Sequence, residues 1–160
     1  MKIRNGFVTN SSSSSFIIGY NDVKEVYKHI VDDFLMFANN DYDKSHGPKV
    51  IEGYIKKSKI TKAELTKHLI EGLRFQPEYQ NLTYRGKSVW NYPYADRMSS
   101  QTGVGKYLRG VLKNTQLSKD IKKYKNVLYL EVHEDGSAIN QILGYEVLPH
   151  LSETIMHRGQ

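Results

Sequence analysis

The sequence predicts an α+β fold: a small antiparallel or mixed sheet that includes both terminal strands, packed with about four to five helices. Three observations lead there. Val127–Val132, VLYLEV, is the strongest strand pattern in the chain. Phe16-Ile17-Ile18 and Glu153–His157 read as strands near the two ends. Between them, apolar residues recur at helical rather than alternating spacing. No internal repeat or linker breaks the pattern, so the 160 residues are read as a single domain, residues 1–160.

The elements follow in order. Phe7-Val8 and Phe16-Ile17-Ile18 carry β-favouring side chains around Ser11–Ser15. Serines compete for their own backbone and favour turns. A strand, a serine turn and a second strand are therefore expected, with Phe7 and Phe16 buried and the five serines accessible. Asn21-Asp22 can cap a helix whose apolar stripe is Val23, Val26, Tyr27, Ile30, Phe34 and Leu35. Asn39–Pro48 reads as a polar loop, after which Pro48 can start a short helix with Val50, Ile51, Tyr54 and Ile55.

Thr61-Lys62-Ala63-Glu64 has capping-box spacing ahead of Leu65, Leu69, Ile70 and Leu73. Phe75–Tyr94 is an irregular aromatic stretch, with short strands at Leu82–Tyr84 and Val89. Val104, Tyr107, Leu108, Val111 and Leu112 make another helical stripe, with Lys106, Arg109 and Lys113 off it. Ser118 opens a short basic helix, His133–Ser137 is a turn, and Ala138–Leu148 is a helix stopped by Pro149.

Composition excludes several function classes. There are no cysteines, so disulfides, thiolate zinc sites and cysteine nucleophiles are absent. Lys2 and Arg4 resemble the start of a signal peptide, but no continuous apolar stretch follows them. No run approaches the ~18 apolar residues of a membrane span. A soluble, cytoplasmic protein that does not engage a membrane is expected.

Net charge is +6, and its distribution is uneven. From Asn81 to Val132 ten cations (Arg85, Lys87, Arg97, Lys106, Arg109, Lys113, Lys119, Lys122, Lys123, Lys125) face three acids (Asp96, Asp120, Glu131). Tyr84, Trp90, Tyr92, Tyr94, Tyr107 and Tyr124 are interleaved with them. Cations neutralise phosphates and aromatic faces stack on bases. The candidate binding residues are thus Arg85, Lys87, Trp90, Arg97, Lys106, Arg109, Lys113, Lys122, Lys123 and Lys125. The expected partner is acidic: a nucleic acid, or a host nucleoprotein complex. No nucleic-acid-binding motif is legible. The competing reading is a solvated basic face with tyrosines in the core.

Other constellations are weaker. The serine tract can cradle an anion or accept a modification, but it has no Gly-Lys-Ser signature. His133, His150 and His157, with Glu131, Asp135 and Glu153, are metal-ligand types, yet no pair has metalloenzyme spacing, so no metal and no cofactor is expected.

Two resemblances add to this. MKIRNGFVTNSSSSSFII, Met1–Ile18, resembles an N-terminal signature of small uncharacterised bacteriophage and bacterial proteins, and Leu128–Leu151 resembles the same group more loosely. That implies a phage-type accessory or inhibitor protein in the host cytoplasm, acting by binding, or alternatively a virion component. Leu82-Thr83-Tyr84-Arg85-Gly86, Met98-Ser99-Ser100 and Leu151–Gly159 resemble the three elements of ADP-ribosyltransferases. The likeness implies an enzyme using NAD. Arg85 would hold the cofactor phosphates, Ser99 or Ser100 would position the ribose, and Glu153 would stabilise positive charge there. The second acid of that pattern is replaced by Leu151.

Overall fold

The computed structural model describes residues 13–159. The chain forms two compact units. The first contains residues up to Ile60 and from Ile121 onward, and the second is Thr61–Asp120.

The first unit is built on a four-stranded antiparallel sheet in the order Lys59–Ile60, Asn126–His133, Ser13–Tyr20, Thr154–Gly159. β1 (Ser13–Tyr20) is a central strand. α1 (Val23–Phe37) follows, capped by Asp22, whose side chain accepts from Lys24 N. α2 (Asp41–Ser58) leads into the short β2 (Lys59–Ile60). The second unit then intervenes. β5 (Asn126–His133) and β6 (Thr154–Gly159) complete the sheet, one on each side of β1. The α+β class and the pairing of the first and last described strands in one sheet are therefore as the sequence predicts.

β1 departs from expectation. Ser13, Ser14 and Ser15 are not an accessible turn but buried strand, paired with His133, Val132 and Glu131 of β5. Every residue of β1 is buried, so it alternates in neither polarity nor exposure. Pairing on both sides satisfies the backbone that free serines would otherwise hydrogen-bond themselves. Phe16 is buried as expected and stacks on its cross-strand partner His157, ring centroids 4.6 Å apart. Phe7, Val8, Ser11 and Ser12 lie outside the described residues.

The expected loop at 39–48 is the first half of α2. Asn40 caps it, its side chain accepting from Asp43 N at 2.8 Å. Pro48 sits inside the helix rather than at its start. Gly47 explains the packing: a Cβ there would stand 2.1 Å from Phe34 Cε2, so only glycine lets α2 close on α1. Leu35, placed on the buried stripe from sequence, is exposed together with Met36 and Phe37.

After β5 the chain turns through Glu134 and enters α7 (Ala138–Gln141), capped by Ser137. The helical path continues as a π-helical segment, Ile142–Val147, and a 3-10 turn, Leu148–His150. Pro149 is thus accommodated within helical backbone rather than stopping it. Phe16, Ile18, Ile30, Phe34, Ile51, Leu128, Leu143 and Leu148 centre the core of this unit. Glu134 is fully buried beside Gly144, and its Oε1 accepts from Ser14 Oγ at 2.5 Å.

The second unit is mostly helical. α3 (Lys62–Leu73) is capped by Thr61, which accepts from Glu64 N, and buries Leu65, Leu69, Ile70 and Leu73 as predicted. A hairpin of β3 (Thr83–Tyr84) and β4 (Lys87–Ser88) follows. Val89, expected in a strand, is instead buried at the start of a 3-10 turn, Val89–Asn91. α4 (Tyr94–Met98) and α5 (Gly103–Lys113) pack against α3 around Val104, Leu108 and Leu112. α6 (Gln116–Lys122) begins two residues before Ser118 and leads back to β5. With short pieces such as α4, α6 and α7, the described residues contain seven α-helices. Among them no helix is long and apolar enough to cross a membrane.

Candidate nucleic-acid interface

The ten predicted binding residues fall on both units. Arg85, Lys87, Trp90, Arg97, Lys106, Arg109 and Lys113 belong to the second unit, and Lys122, Lys123 and Lys125 to the first. The second unit holds ten Lys/Arg against five Asp/Glu, so it carries +5 of the chain's +6. The seven residues there divide into two groups.

Arg97 and Arg109 are structural. Arg97 is 7% exposed, and its guanidinium bonds Glu71 on α3 (Nη2 at 2.5 Å, Nε at 3.0 Å) and the Tyr92 carbonyl. Arg109 reaches back from α5 to the Met98 carbonyl at 2.7 Å and the Ser99 carbonyl at 2.9 Å, closing the α4–α5 connection. Trp90 is half-buried, donates its indole N–H to the Tyr79 carbonyl at 2.9 Å, and carries Arg74 over its ring. Arg85, Lys87, Lys106 and Lys113 are exposed.

Arg85 and Lys87 sit on the β3–β4 hairpin, whose two-residue turn is Arg85-Gly86. Both have positive φ, 53° and 76°, as the mirror-image turn that suits strand twist requires. Glycine takes this backbone freely; arginine pays about 1 kcal/mol or more. The hairpin stands on three half-buried tyrosines. Tyr84 meets Tyr92 edge-on at 6.1 Å and Tyr107 at 5.4 Å, and the Tyr92 hydroxyl donates to the Tyr84 carbonyl at 2.8 Å. The Arg85 guanidinium lies 5.5 Å over the Tyr84 ring and Lys87 Nζ 4.6 Å over Tyr92. Lys106 is exposed one residue before Tyr107. The result is a fixed aromatic base with cations laid on it.

The residues of the transferase likeness occupy quite different settings. Ser99 Oγ accepts from the backbone of Gln101 and Thr102, and Ser100 Oγ from the Gln101 amide. Glu153 belongs to the first unit. Its carboxylate accepts from Ser152 at 2.6 Å and from His29 Nδ1 on α1, and its carbonyl accepts from Gly19 N at 3.0 Å. Burial pushes the Glu153 carboxyl up, but hydrogen bonds from Ser152 and His29 outweigh it and hold the pKa below the ordinary value. The same carboxylate raises His29, first by hydrogen bonding and then by charge.

The raised His29 contributes stability that is complete below its unfolded value of about 6.5 and is lost as pH rises through its folded value. The lowered Glu153 contributes above about 4.5 and loses that contribution as pH falls through its folded value. The pair therefore stabilises most between those two unfolded values. His29 is 43% exposed, so the effect stays within about 1 kcal/mol. Urea unfolding of His29→Gln from pH 5 to 9 should show a loss at the acid end that vanishes at the alkaline end. A pH-independent loss would show that the pair is not charged.

Of the C-terminal histidines, His157 is buried against Phe16, whereas His133 and His150 are exposed. Among the described residues no three His, Asp or Glu side chains form a group able to hold a metal ion. Sequence reasoning missed the role of Tyr84, Tyr92 and Tyr107 as one support for the two cations of the hairpin; the Arg-Gly dipeptide between Tyr84 and Lys87 was its signal. Comparison of the chain with family models, with curated proteins and with solved structures found no match.

Proposed function

We propose that this is an accessory protein, of the bacteriophage type its N-terminal signature resembles, that acts by binding single-stranded nucleic acid through the β3–β4 hairpin. The observation that carries the reading is Arg85 at φ 53°. Asparagine would take this turn position at less cost, so the strain is kept for what the guanidinium does. A base can stack on the outer face of the Arg85 guanidinium, while Lys87 and Lys106 neutralise phosphates on either side. The +5 charge of the second unit raises the local concentration of such a ligand.

The test is anisotropy of a labelled oligothymidylate across a salt series. Affinity should fall with a slope of about 0.7 per phosphate neutralised, the single-strand value. Arg85→Asn should weaken binding about tenfold, within the ~1–3 kcal/mol given by one stacked base, while raising thermal stability. Lys87→Gln and Lys106→Gln should each flatten the salt slope. Absence of binding at low salt, or binding indifferent to all three substitutions, would overturn the reading.

A further inference from the structure

A second candidate site lies in the first unit, independent of the hairpin. Val50, Gly53, Tyr54 and Lys57 recur at helical spacing and so share one face of α2. With Ser137 and Asn140 they line an open groove of about 330 Å³. That is the low end of the range for small-molecule sites.

The polar groups of this groove are donors. Lys57 Nζ rides 4.4 Å over the Tyr54 ring and, among the described residues, pairs with no carboxylate; its neighbour Lys56 is paired with Glu52. Asn140 is oriented by Tyr54, whose hydroxyl donates to Asn140 Oδ1 at 2.9 Å. The Asn140 amide nitrogen is thereby left as a donor. Ser137 Oγ accepts from Asn140 N at 3.1 Å and keeps its own proton to give. Among the described residues no carboxylate lines the groove; Glu134 is fully buried and is not part of the lining. An ammonium, an amide N–H and a hydroxyl together match an oxyanion.

Gly53 is the second observation. Among the described residues nothing lies within 4 Å of where its Cβ would stand. A glycine inside a helix is less stable there than an alanine. No neighbour forbids a side chain there, and what its absence leaves is an open floor down to the helix backbone. We propose that the groove binds a small organic anion, its phosphate or carboxylate held by Lys57 and Asn140 and its body laid over Gly53 against Val50.

The test is calorimetric titration of the full chain with adenosine monophosphate, with benzoate, and with adenosine as the neutral control. One or both anions should bind saturably, and adenosine should bind about tenfold more weakly than its monophosphate, the loss expected for one charge-assisted hydrogen bond. A response to only one anion identifies phosphate or carboxylate as the preferred group. Lys57→Met should weaken binding about tenfold or more. Gly53→Leu should abolish it without lowering the melting temperature. Gly110→Ala, at the other helical glycine with open space around it, should raise the melting temperature and leave binding unchanged. Oligonucleotide affinity should be unchanged in Lys57→Met, which separates this site from the hairpin. No saturation by either anion at about 10 mM, the range of the weakest specific ligands, overturns the proposal. Binding that survives both Lys57→Met and Gly53→Leu does so equally.

Discussion

Arg97→Ala is expected to destabilise the second unit by about 1.5–3 kcal/mol, the cost of losing hydrogen bonds between a buried guanidinium and a part-exposed carboxylate. Arg97 is 7% exposed, and its guanidinium joins three things: Glu71 on α3, the Tyr92 carbonyl and, at 5.7 Å, the Tyr94 ring. With alanine there, Glu71 keeps only the edge contact with Arg74 at 3.4 Å. The Tyr92 carbonyl loses its donor as well. Arg97→Lys should cost less but remain clearly destabilising, because an ammonium cannot serve Glu71 through two nitrogens while also reaching Tyr92. Pairing Arg97→Met with Glu71→Leu should recover much of the loss, since apolar replacement of both partners removes the desolvated charges together. Urea unfolding followed by circular dichroism measures all four proteins. If Arg97 served as a nucleic-acid contact instead, Arg97→Ala would leave the unfolding free energy within about 0.5 kcal/mol, as for an ordinary surface change, and lower only affinity.

That contrast shows where the sequence was informative and where it was not. The excess of cations over 81–132 was legible by counting. Which cations face solvent was not, because Arg97 and Arg109 are spelled like Arg85, and only partners distant in sequence separate them. The caps at Asp22 and Thr61 were legible because a cap and the backbone N–H it accepts from lie within three residues. The start of α2 was hidden because Gly47-Pro48 reads as a breaker, while the close approach of Phe34 that requires the glycine is a tertiary fact. β1 was half legible. Phe16-Ile17-Ile18 announced a strand, but Ser13–Ser15 pair with residues more than a hundred positions away, and local turn preference gives no hint of that. The hairpin turn was obscured because Arg-Gly stands where Asn-Gly is the usual signal.

Ser14→Ala is expected to cost about 3 kcal/mol, far more than the loss of a serine hydroxyl on a surface turn. Glu134 is fully buried. Its Oε1 accepts from Ser14 Oγ at 2.5 Å, and among the described residues its Oε2 has no hydrogen-bond partner. Removing the hydroxyl leaves a buried carboxyl group with neither oxygen bonded, and the full desolvation cost is then exposed. The side chain cannot simply swing aside toward the π-helical segment. Gly144 already gives up its side chain to make room, since a Cβ there would stand 2.4 Å from Glu134 Cγ. Gly144→Ala should accordingly cost about 1–3 kcal/mol by overpacking, and shortening Glu134 to alanine should relieve that clash. The decisive measurement is a cycle of Ser14→Ala, Glu134→Leu and the double variant, each unfolded in urea. Leucine removes the polar group while keeping most of the volume, so the double variant should be more stable than Ser14→Ala alone. A coupling of about 2 kcal/mol is expected for two groups in direct contact. If Ser14→Ala were neutral, or its cost were the same with Glu134 absent, the hydroxyl would not be what holds the buried carboxyl.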